Sequence, residues 1–336
     1  SKMIQELKNS ITQNFDNIDF NLVDWYKVLH NSSNVLIYHL ESLVDYYVVY
    51  FQGENLSFVL HKGDKIVGVF PLFVHRDNGS WVISGNGQSL VNPLFINGIA
   101  KKTKKLLEKK IVNIVYFIAN KLDIKTFELF DHNTELSSWY MLWLQRANKS
   151  FLTHQIAINL CYSISEIKVS FRRSYKTLIN KALREWDVSI CDNNLNEDFE
   201  AFRLLHLEVA GRVTRSIKSW NIQKKQIENN EAFLVTVKDN GNLIGAALFT
   251  YTKDFASYSV SVFKRELFDK PIGHGVQIKA IEFLKEKGCK TYHIGQKVTL
   301  LDRIKPTEKE LSISHFKDGF SGYTYIQPHL EVSVNE

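Results

Sequence analysis

Two histidines and a lysine near the C-terminal end of the chain could take part in acid–base or electrostatic catalysis. His293 lies in the short stretch TYHIG, and His315 and Lys317 belong to the run HFKDGFSG. A histidine titrates near neutral pH and can accept a proton from an attacking amine. A lysine ammonium can stabilise a developing oxyanion or bind a phosphate. Structural or solvent-exposed roles for these side chains stay open at this stage.

The stretch KPIGHG, residues 270–275, places one lysine, one proline and two glycines directly before an amphipathic run. The pattern predicts a strand-to-helix loop over 270–275 and a helix over 275–287 that ends at Gly288. Free backbone N–H groups and the helix dipole suit an anion there, although the glycines could also merely turn the chain. The candidate cofactor-binding residues are Lys270, Ile272, Gly273, His274, Gly275 and Val276.

Basic and aromatic residues upstream could bind an anionic second substrate. A predicted helix near residue 172 carries basic side chains on one side, and the passage EVAGRVTRSIKSW (208–220) adds two arginines. The planar guanidinium suits a pyrophosphate because it donates two hydrogen bonds at once. A tryptophan could stack on a base or sugar, or belong to the core. The candidate substrate-binding residues are Arg215, Arg212, Trp220, Arg173, Lys176 and Phe316.

The elements that position these residues occur twice along the chain. From Phe58 and again from Leu234, an apolar strand, a Gly/Asp turn, a second apolar strand, a polar turn and a third strand follow one another, which predicts an antiparallel meander. A helical run comes next, over 101–122 and 275–287, and then a short strand, over 126–129 and 291–294. The sequence therefore predicts two α/β units, joined between residues 145 and 151.

Composition narrows the class of protein. The hydrophobic share of 44% and the charged share of 23% indicate a folded chain, and the net charge of +6 fits a protein that handles small anions. No apolar stretch approaches the length of a membrane span, and the start lacks the apolar centre of a secretory signal, so we expect a cytoplasmic protein. The three cysteines are widely spaced, which favours reduced structural thiols and no metal site.

The order of meander, glycine-bearing loop, helix and strand resembles the GNAT acyltransferase fold. In that family a loop of the form Gln/Arg-x-x-Gly-x-Gly/Ala receives the pyrophosphate of coenzyme A, and 270–275 matches it with lysine in the first place. The duplication, the basic helix RRSYKTLINKALREW, TYHIG and HFKDGFSG are similar to the Fem branch. The resemblance implies two tandem GNAT-like domains, each a mixed, largely antiparallel sheet flanked by helices. We expect a degenerate domain at 1–150 lining the acceptor cleft, a donor-binding domain at 151–320, and a segment at 321–336 that returns to the first.

The resemblance also implies a function. No long helical hairpin is inserted, and the coenzyme-A loop is complete, which is similar to Fem-like proteins that N-acylate nucleotide-linked amino sugars. The expected activity is an acyl-CoA-dependent N-acyltransferase for surface polysaccharide (O-antigen or capsule, hence lipopolysaccharide) biosynthesis. One alternative is an aminoacyl-tRNA-dependent transferase that modifies a peptidoglycan precursor, with KKTKKLLEKK (101–110) as a path for RNA. Another is a binding module without catalysis.

Individual roles follow from the same resemblance. The strands 256–263 and 291–294 are expected to splay apart, with the pantetheine arm between them. Phe316 and Lys317 match a Phe-Lys pair that smaller Fem enzymes use near the acceptor. Arg215 lies at about the place of an arginine that contacts the substrate's pyrophosphate. The sequence departs from the family at His293, where Asp is usual, and at Gln296, where a second Gly is usual.

Overall fold

A computed structural model describes residues 1–132, 135–320 and 323–334. The chain forms two compact units, Ser1–Leu152 with Gln327–Glu336, and Thr153–Ile326. Four residues of the predicted C-terminal segment lie outside the described residues: Ser321 and Gly322, which also end the HFKDGFSG run, and Asn335 and Glu336. Within the described ranges, no helix is long and apolar enough to cross a bilayer.

The first unit combines helices with short strands. Its helices are α1 (Lys2–Asn14), α2 (Trp25–His30), α3 (Glu41–Tyr50), α4 (Lys101–Lys121) and α5 (Ser138–Leu144). Its strands include β1 (Ile18–Asp19), β2 (Glu54–Asn55), β3 (Phe58–Lys62), β4 (Lys65–Phe70), β5 (Phe73–Asp77), β6 (Ser80–Ser84), β7 (Ser89–Leu90), β8 (Leu94–Phe95) and β9 (Thr126–Phe130). One sheet has the order β1-β3-β4-β8 and another the order β2-β5-β6.

The second unit contains a longer sheet. Its strands are β10 (Lys149–Asn159, from residue 153 on), β11 (Asp187–Ile190), β12 (Ala232–Asp239), β13 (Asn242–Tyr251), β14 (Phe255–Phe263) and β15 (Thr291–Lys297). The helices are α6 (Ile164–Val169), α7 (Tyr175–Glu185), α8 (Leu195–Ala210), α9 (Ile217–Glu228), α10 (Ile272–Glu286) and α11 (Glu308–Asp318). The sheet order is β11-β12-β13-β14-β15-β10, with neighbours antiparallel except β14 and β15.

The last strand, β16 (Tyr323–Ser333), contributes its C-terminal part to the first unit. There it pairs antiparallel with β9, from His329 opposite Phe130 to Ser333 opposite Thr126. On its other side, β9 pairs parallel with β7.

The first meander differs from the prediction. What the sequence presents as one second strand is interrupted at Pro71 and Leu72, so β4 pairs with β3 while β5 pairs with β6 in a different sheet. Proline lacks the N–H that a sheet ladder requires, and the N–H of Leu72 donates to the hydroxyl of Ser57 instead. The corresponding strand of the second unit, β13, contains no proline and is continuous.

Apolar side chains cover both faces of the sheet of the second unit. Phe249, Tyr292 and Ile281 belong to the cluster that joins one face to α10. Trp220 and Leu248 belong to the cluster on α8 and α9. Because α10 carries its apolar residues on one broad stripe, burying that stripe against the sheet fixes where its first turn lies.

Helix α10 begins earlier than the sequence predicts. Pro271 is the N-cap and Ile272 the first helical residue, so Gly273 and Gly275 lie in the first turns and not in a preceding loop. The carbonyl of Pro271 accepts hydrogen bonds from the N–H groups of His274 and Gly275, at 3.2 and 3.4 Å. The predicted end is confirmed, since Gly288 has the left-handed φ of +77° that ends many helices.

Candidate active site

The two parallel strands of the second unit pair over three residues only. Phe255, Ala256 and Ser257 of β14 lie opposite Thr291, Tyr292 and His293 of β15, and no further pair joins these strands within the described chain. A β-bulge follows at once, because Phe249 of β13 lies opposite Tyr258 whereas Leu248 lies opposite Val260. Bulges bend a strand and are common beside active sites. The two strands therefore form a fork that opens after Ser257 and His293.

A cleft of about 490 Å³ lies beside this fork. Its walls are β14, the short 3₁₀ segment Arg265–Leu267 with the residues after it, the first turn of α10, and one face of α11. None of the lining residues in the described chain is acidic. Six of the residues singled out in the sequence line it: Lys270, Ile272, Gly273, His274, Phe316 and Lys317.

Lys317 reaches across the open end of the fork. Its Nζ lies 5.3 Å from the centroid of the Tyr258 ring on β14. A Cβ built on Gly295 of β15 would lie 2.9 Å from the same Nζ, so the lysine arm occupies the space that any larger residue would fill. No hydrogen bond or ion pair joins Nζ to the described residues. Burial lowers the pKa of Lys317 because the cleft solvates a charge poorly.

The first turn of α10 offers backbone donors to the cleft. The N–H groups of Ile272 and Gly273 come before the first helical hydrogen bonds and face the N-terminal end of the helix. A Cβ on Gly273 would lie 3.0 Å from Cζ of Phe316, so glycine keeps this turn open while the aromatic ring packs on it. Lys270 lines the same cleft, and these N–H groups suit an anion such as a phosphate.

His274 is neutral in this site. Burial lowers its pKa to about 4, and its ring lies edge-on to Tyr175 and Phe316, with centroids 4.5 and 4.9 Å away. It therefore lines the cleft as an aromatic surface and adds no positive charge for a phosphate at pH 7.

Two predicted cofactor-binding residues are wrong as cleft residues. A Cβ on Gly275 would lie 3.0 Å from Cβ of Ala182 and 3.4 Å from Val188, so this glycine permits α10 to approach α7. Val276 is fully buried in the apolar cluster under the sheet. Because the helix starts at Ile272, both positions point into the protein.

His293 lies at the last pair before the fork opens and does not line the cleft in the described chain. Its Nε2 is 2.6 Å from Oε1 of Gln155, and Nε2 of Gln155 donates to Oγ1 of Thr153 at 2.9 Å. The Gln155 amide therefore links the His293 ring to the hydroxyl of Thr153. His293 and Gly295 share one face of β15, the face that Lys317 covers.

His315 is wrong as a cleft histidine. Its side chain is exposed on α11, away from the face that carries Phe316 and Lys317 into the cleft. Only its backbone takes part in a described contact, since its carbonyl accepts a hydrogen bond from Nη2 of Arg172 at 3.1 Å.

Sequence reasoning missed the residues that hold α11 in place. Tyr175 donates its hydroxyl to the carbonyl of Phe316 at 2.8 Å, and Arg172 donates to the carbonyl of Gly319 at 2.7 Å through its backbone N–H. A Cβ on Gly319 would lie 2.4 Å from the Tyr175 ring. These donors bind carbonyls at the C-terminal end of α11, where the Phe316 carbonyl also accepts the N–H of Gly319 at 3.3 Å. The basic helix was noticed in the sequence, but a contact across 141 residues has no local signal.

Apart from Phe316, the predicted substrate-binding residues lie outside the cleft lining. Arg173 and Lys176 are exposed at the start of α7, and Arg212 is exposed between α8 and α9. Trp220 is buried against aromatic side chains of α8, which corrects the proposed stacking on a base or sugar. Arg215 lies on this tryptophan, with Cζ 3.6 Å from the ring centroid.

No metal site accompanies the cleft in the described residues, which contain no group of three or more His, Cys, Asp or Glu side chains placed to hold an ion.

Comparison with known proteins identifies the fold. No protein-family model and no curated protein matches the sequence. Among solved structures, FemX is similar with a TM-score of 0.67 at 12% identity, covering 93% of this chain and 96% of FemX. L-PGS from Bacillus licheniformis is similar with a TM-score of 0.60 at 13% identity, covering 93% of this chain and 92% of that protein. The chain therefore has the Fem-like double GNAT fold, a mixed α/β architecture with mostly antiparallel sheets flanked by helices.

Proposed function

We propose that this protein is an acyl-CoA-dependent N-acyltransferase whose acceptor is the amino group of a nucleotide-diphosphate-linked amino sugar. The observation that carries the proposal is the cleft of the second unit. An uncapped helix N-terminus with Lys270 lies at one side of it, and Lys317 lies at the strand fork. This arrangement offers a phosphate site and a cation within one cleft that has no acidic lining residue.

The chain's own groups divide the chemistry. The N–H groups of Ile272 and Gly273 and the ammonium of Lys270 bind the pyrophosphate of the donor. Lys317 in its protonated form stabilises the oxyanion that develops when an amine attacks a thioester carbonyl. His293, held by Gln155 beside the fork, accepts the amine's proton, directly or through water.

The acceptor is the less defined substrate. Arg215 and Arg212 supply charge for a sugar-nucleotide pyrophosphate in the passage between α8 and α9. That the first unit takes part in binding the acceptor stays a prediction.

An aminoacyl-tRNA-dependent transferase is the second candidate. The fold likeness to FemX and L-PGS supports it at least as well as it supports the sugar-nucleotide function. The lysines of α4 provide an exposed basic surface that RNA could use. Lys110 is engaged elsewhere, since it forms an ion pair with Asp16.

Thermal unfolding with coenzyme A tests the donor site. We expect coenzyme A to raise the melting temperature of the wild-type protein, since a ligand that binds only the folded state stabilises it. Gly273→Asp should abolish the rise, because it places bulk and negative charge beside the first two N–H groups of α10. Lys285→Ala, on the same helix away from the cleft, is the control and should keep it. An unchanged response in Gly273→Asp would contradict the site, and no response in the wild type would contradict acyl-CoA as donor.

A further inference from the structure

Lys317 differs from the other lysines whose contacts are described, because it is desolvated without having a partner. Lys238 lies 3.0 Å from Asp198, and Lys297 lies 3.3 Å from Asp318. Lys317 has aromatic and backbone neighbours instead: the Tyr258 ring, the adjacent Phe316 and the bare backbone of Gly295. Lys317 is half-buried, and because removing an ammonium from water without a counter-ion is costly, its pKa is lowered.

The amine of Lys317 lies at a defined place in the strand fork. Nζ lies beyond Ser257 and His293, where the backbones of β14 and β15 separate. The first turn of α10 lines the same cleft, so a thioester whose pyrophosphate lies at that turn extends toward the fork. A neutral amine at the reactive end of an acyl donor is a nucleophile and not only a charge.

We propose that Lys317 is a self-acylation site, at which the protein transfers an acyl group from bound acyl-CoA to its own Nζ when no acceptor is present. The inference rests on the proposed use of acyl-CoA. Nζ of the neutral amine attacks the thioester carbonyl, the N–C bond forms and the C–S bond breaks. The electron pair of that bond leaves on the sulfur, and the proton lost by nitrogen completes the coenzyme-A thiol. No oxidant or reductant is required.

The product would turn the enzyme off. An acylated Nζ is an amide, which carries no positive charge and cannot stabilise an oxyanion. The acyl group would also add bulk where the lysine arm already fills the space over Gly295. When acyl-CoA is in excess over the acceptor, self-acylation would therefore inactivate the enzyme.

Mass spectrometry of the intact protein and its peptides tests this inference. The wild-type protein is incubated with acetyl-CoA without any acceptor, and the acetylation of each lysine is followed over time. We expect Lys317 to be acetylated at least roughly tenfold faster than Lys270, because its Nζ lies at the fork, where the thioester carbonyl is positioned for attack. Lys270 is the matched control, since it lines the same cleft. Lys317→Arg should lose the modification without a new one appearing nearby.

Two further arms separate the possible results. Gly273→Asp, or Lys270→Glu if that variant does not fold, should suppress acetylation of Lys317 by acetyl-CoA and leave acetylation by acetic anhydride intact. A rise in melting temperature with coenzyme A together with no acetylation of Lys317 would overturn self-acylation alone. The absence of both would overturn the donor assignment and this inference together. Acetylation at the same rate in the donor-site variant would show unassisted chemistry and overturn it as well.

Discussion

Arg215 is the residue on which acceptor binding depends in the proposed function. Cζ of its guanidinium lies 3.6 Å from the centroid of the Trp220 ring, so the side chain is held in place before a substrate arrives. Arg215→Ala should lower the specificity constant for the sugar nucleotide roughly 30- to 150-fold, because one charge-assisted bidentate contact contributes about 2–3 kcal/mol. Arg215→Lys should recover little, since a point charge does not replace a planar fork.

Steady-state kinetics with both substrates varied checks this prediction. The Michaelis constant for acyl-CoA should stay the same while that for the sugar nucleotide rises. Arg203→Ala, on α8, removes a guanidinium that already pairs with Glu200 and serves as the control. A rise in the acyl-CoA constant alone would place Arg215 in the donor site.

His39 makes the first unit sensitive to acid. It is fully buried, accepts the N–H of Leu36 on Nδ1 at 2.9 Å, and has its pKa lowered by burial to about 4. An unfolded histidine titrates near 6.5, so between pH 6.5 and 4 the unfolded state binds the proton first. Stability is therefore complete above pH 6.5 and falls by roughly 3 kcal/mol as the pH drops to 4.

Urea unfolding at pH 7 and pH 4.5 measures this contribution. His39→Gln, which cannot titrate, should show a smaller loss between the two pH values than the wild type. His30→Gln, at an exposed position, should show the wild-type loss. Equal losses in all three proteins would mean that His39 does not control the acid response.

At the scale of elements, the contact between α7 and α11 holds Lys317 in the fork. Tyr175→Phe removes the hydroxyl bond to the Phe316 carbonyl but keeps the ring, so we expect a loss of about 1 kcal/mol in the free energy of unfolding. Gly319→Ala should cost more, because its Cβ would overlap the Tyr175 ring. Denaturant unfolding compares the losses in the free energy of unfolding for the two variants, with Thr177→Ala on the exposed side of α7 as the control. A smaller effect for Gly319→Ala than for Tyr175→Phe would contradict this packing.

Gly275 has a packing role between α10 and α7, whereas Gly273 lies at the cleft. Gly275→Ala adds a methyl 3.0 Å from Cβ of Ala182, and we expect a net loss of about 1 kcal/mol as the helices move apart. The rise in melting temperature with coenzyme A should persist, because this position faces away from the cleft. Calorimetry with and without coenzyme A measures both quantities. If coenzyme A no longer raised the melting temperature of Gly275→Ala and its stability were unchanged, Gly275 would belong to the donor site.

For the whole molecule, the two candidate functions differ in whether the donor is acyl-CoA or aminoacyl-tRNA. Replacing Lys101, Lys102, Lys105 and Lys109 with glutamine should leave product formation from acyl-CoA nearly unchanged, since these side chains are exposed on α4. Product formation is measured with acyl-CoA and, separately, with aminoacyl-tRNA as donor. A requirement for aminoacyl-tRNA that weakens in the fourfold variant would favour the second candidate.

Local patterns in the sequence predicted the mixed α/β class and several residues of the cleft, but not the division of the first meander at Pro71. Alternating apolar strands, two long amphipathic runs and a terminal glycine are properties of neighbouring residues, and they predicted α4, α10 and the repeated order of elements. The same local reasoning predicted Lys270 and Gly273 for the donor site, whereas the family resemblance predicted Lys317 near the acceptor, and all three line one cleft.

Tertiary structure decided which of these residues can act together. Gly273 and Gly275 look alike in sequence, but one turn of a helix directs the first toward Phe316 in the cleft and the second toward Ala182. His315 and Lys317 are two residues apart, and helical geometry sends only the lysine into the fork. The bond from His293 to Gln155 spans 138 residues of chain. Contacts of this kind arise from packing between distant elements, which no local pattern encodes.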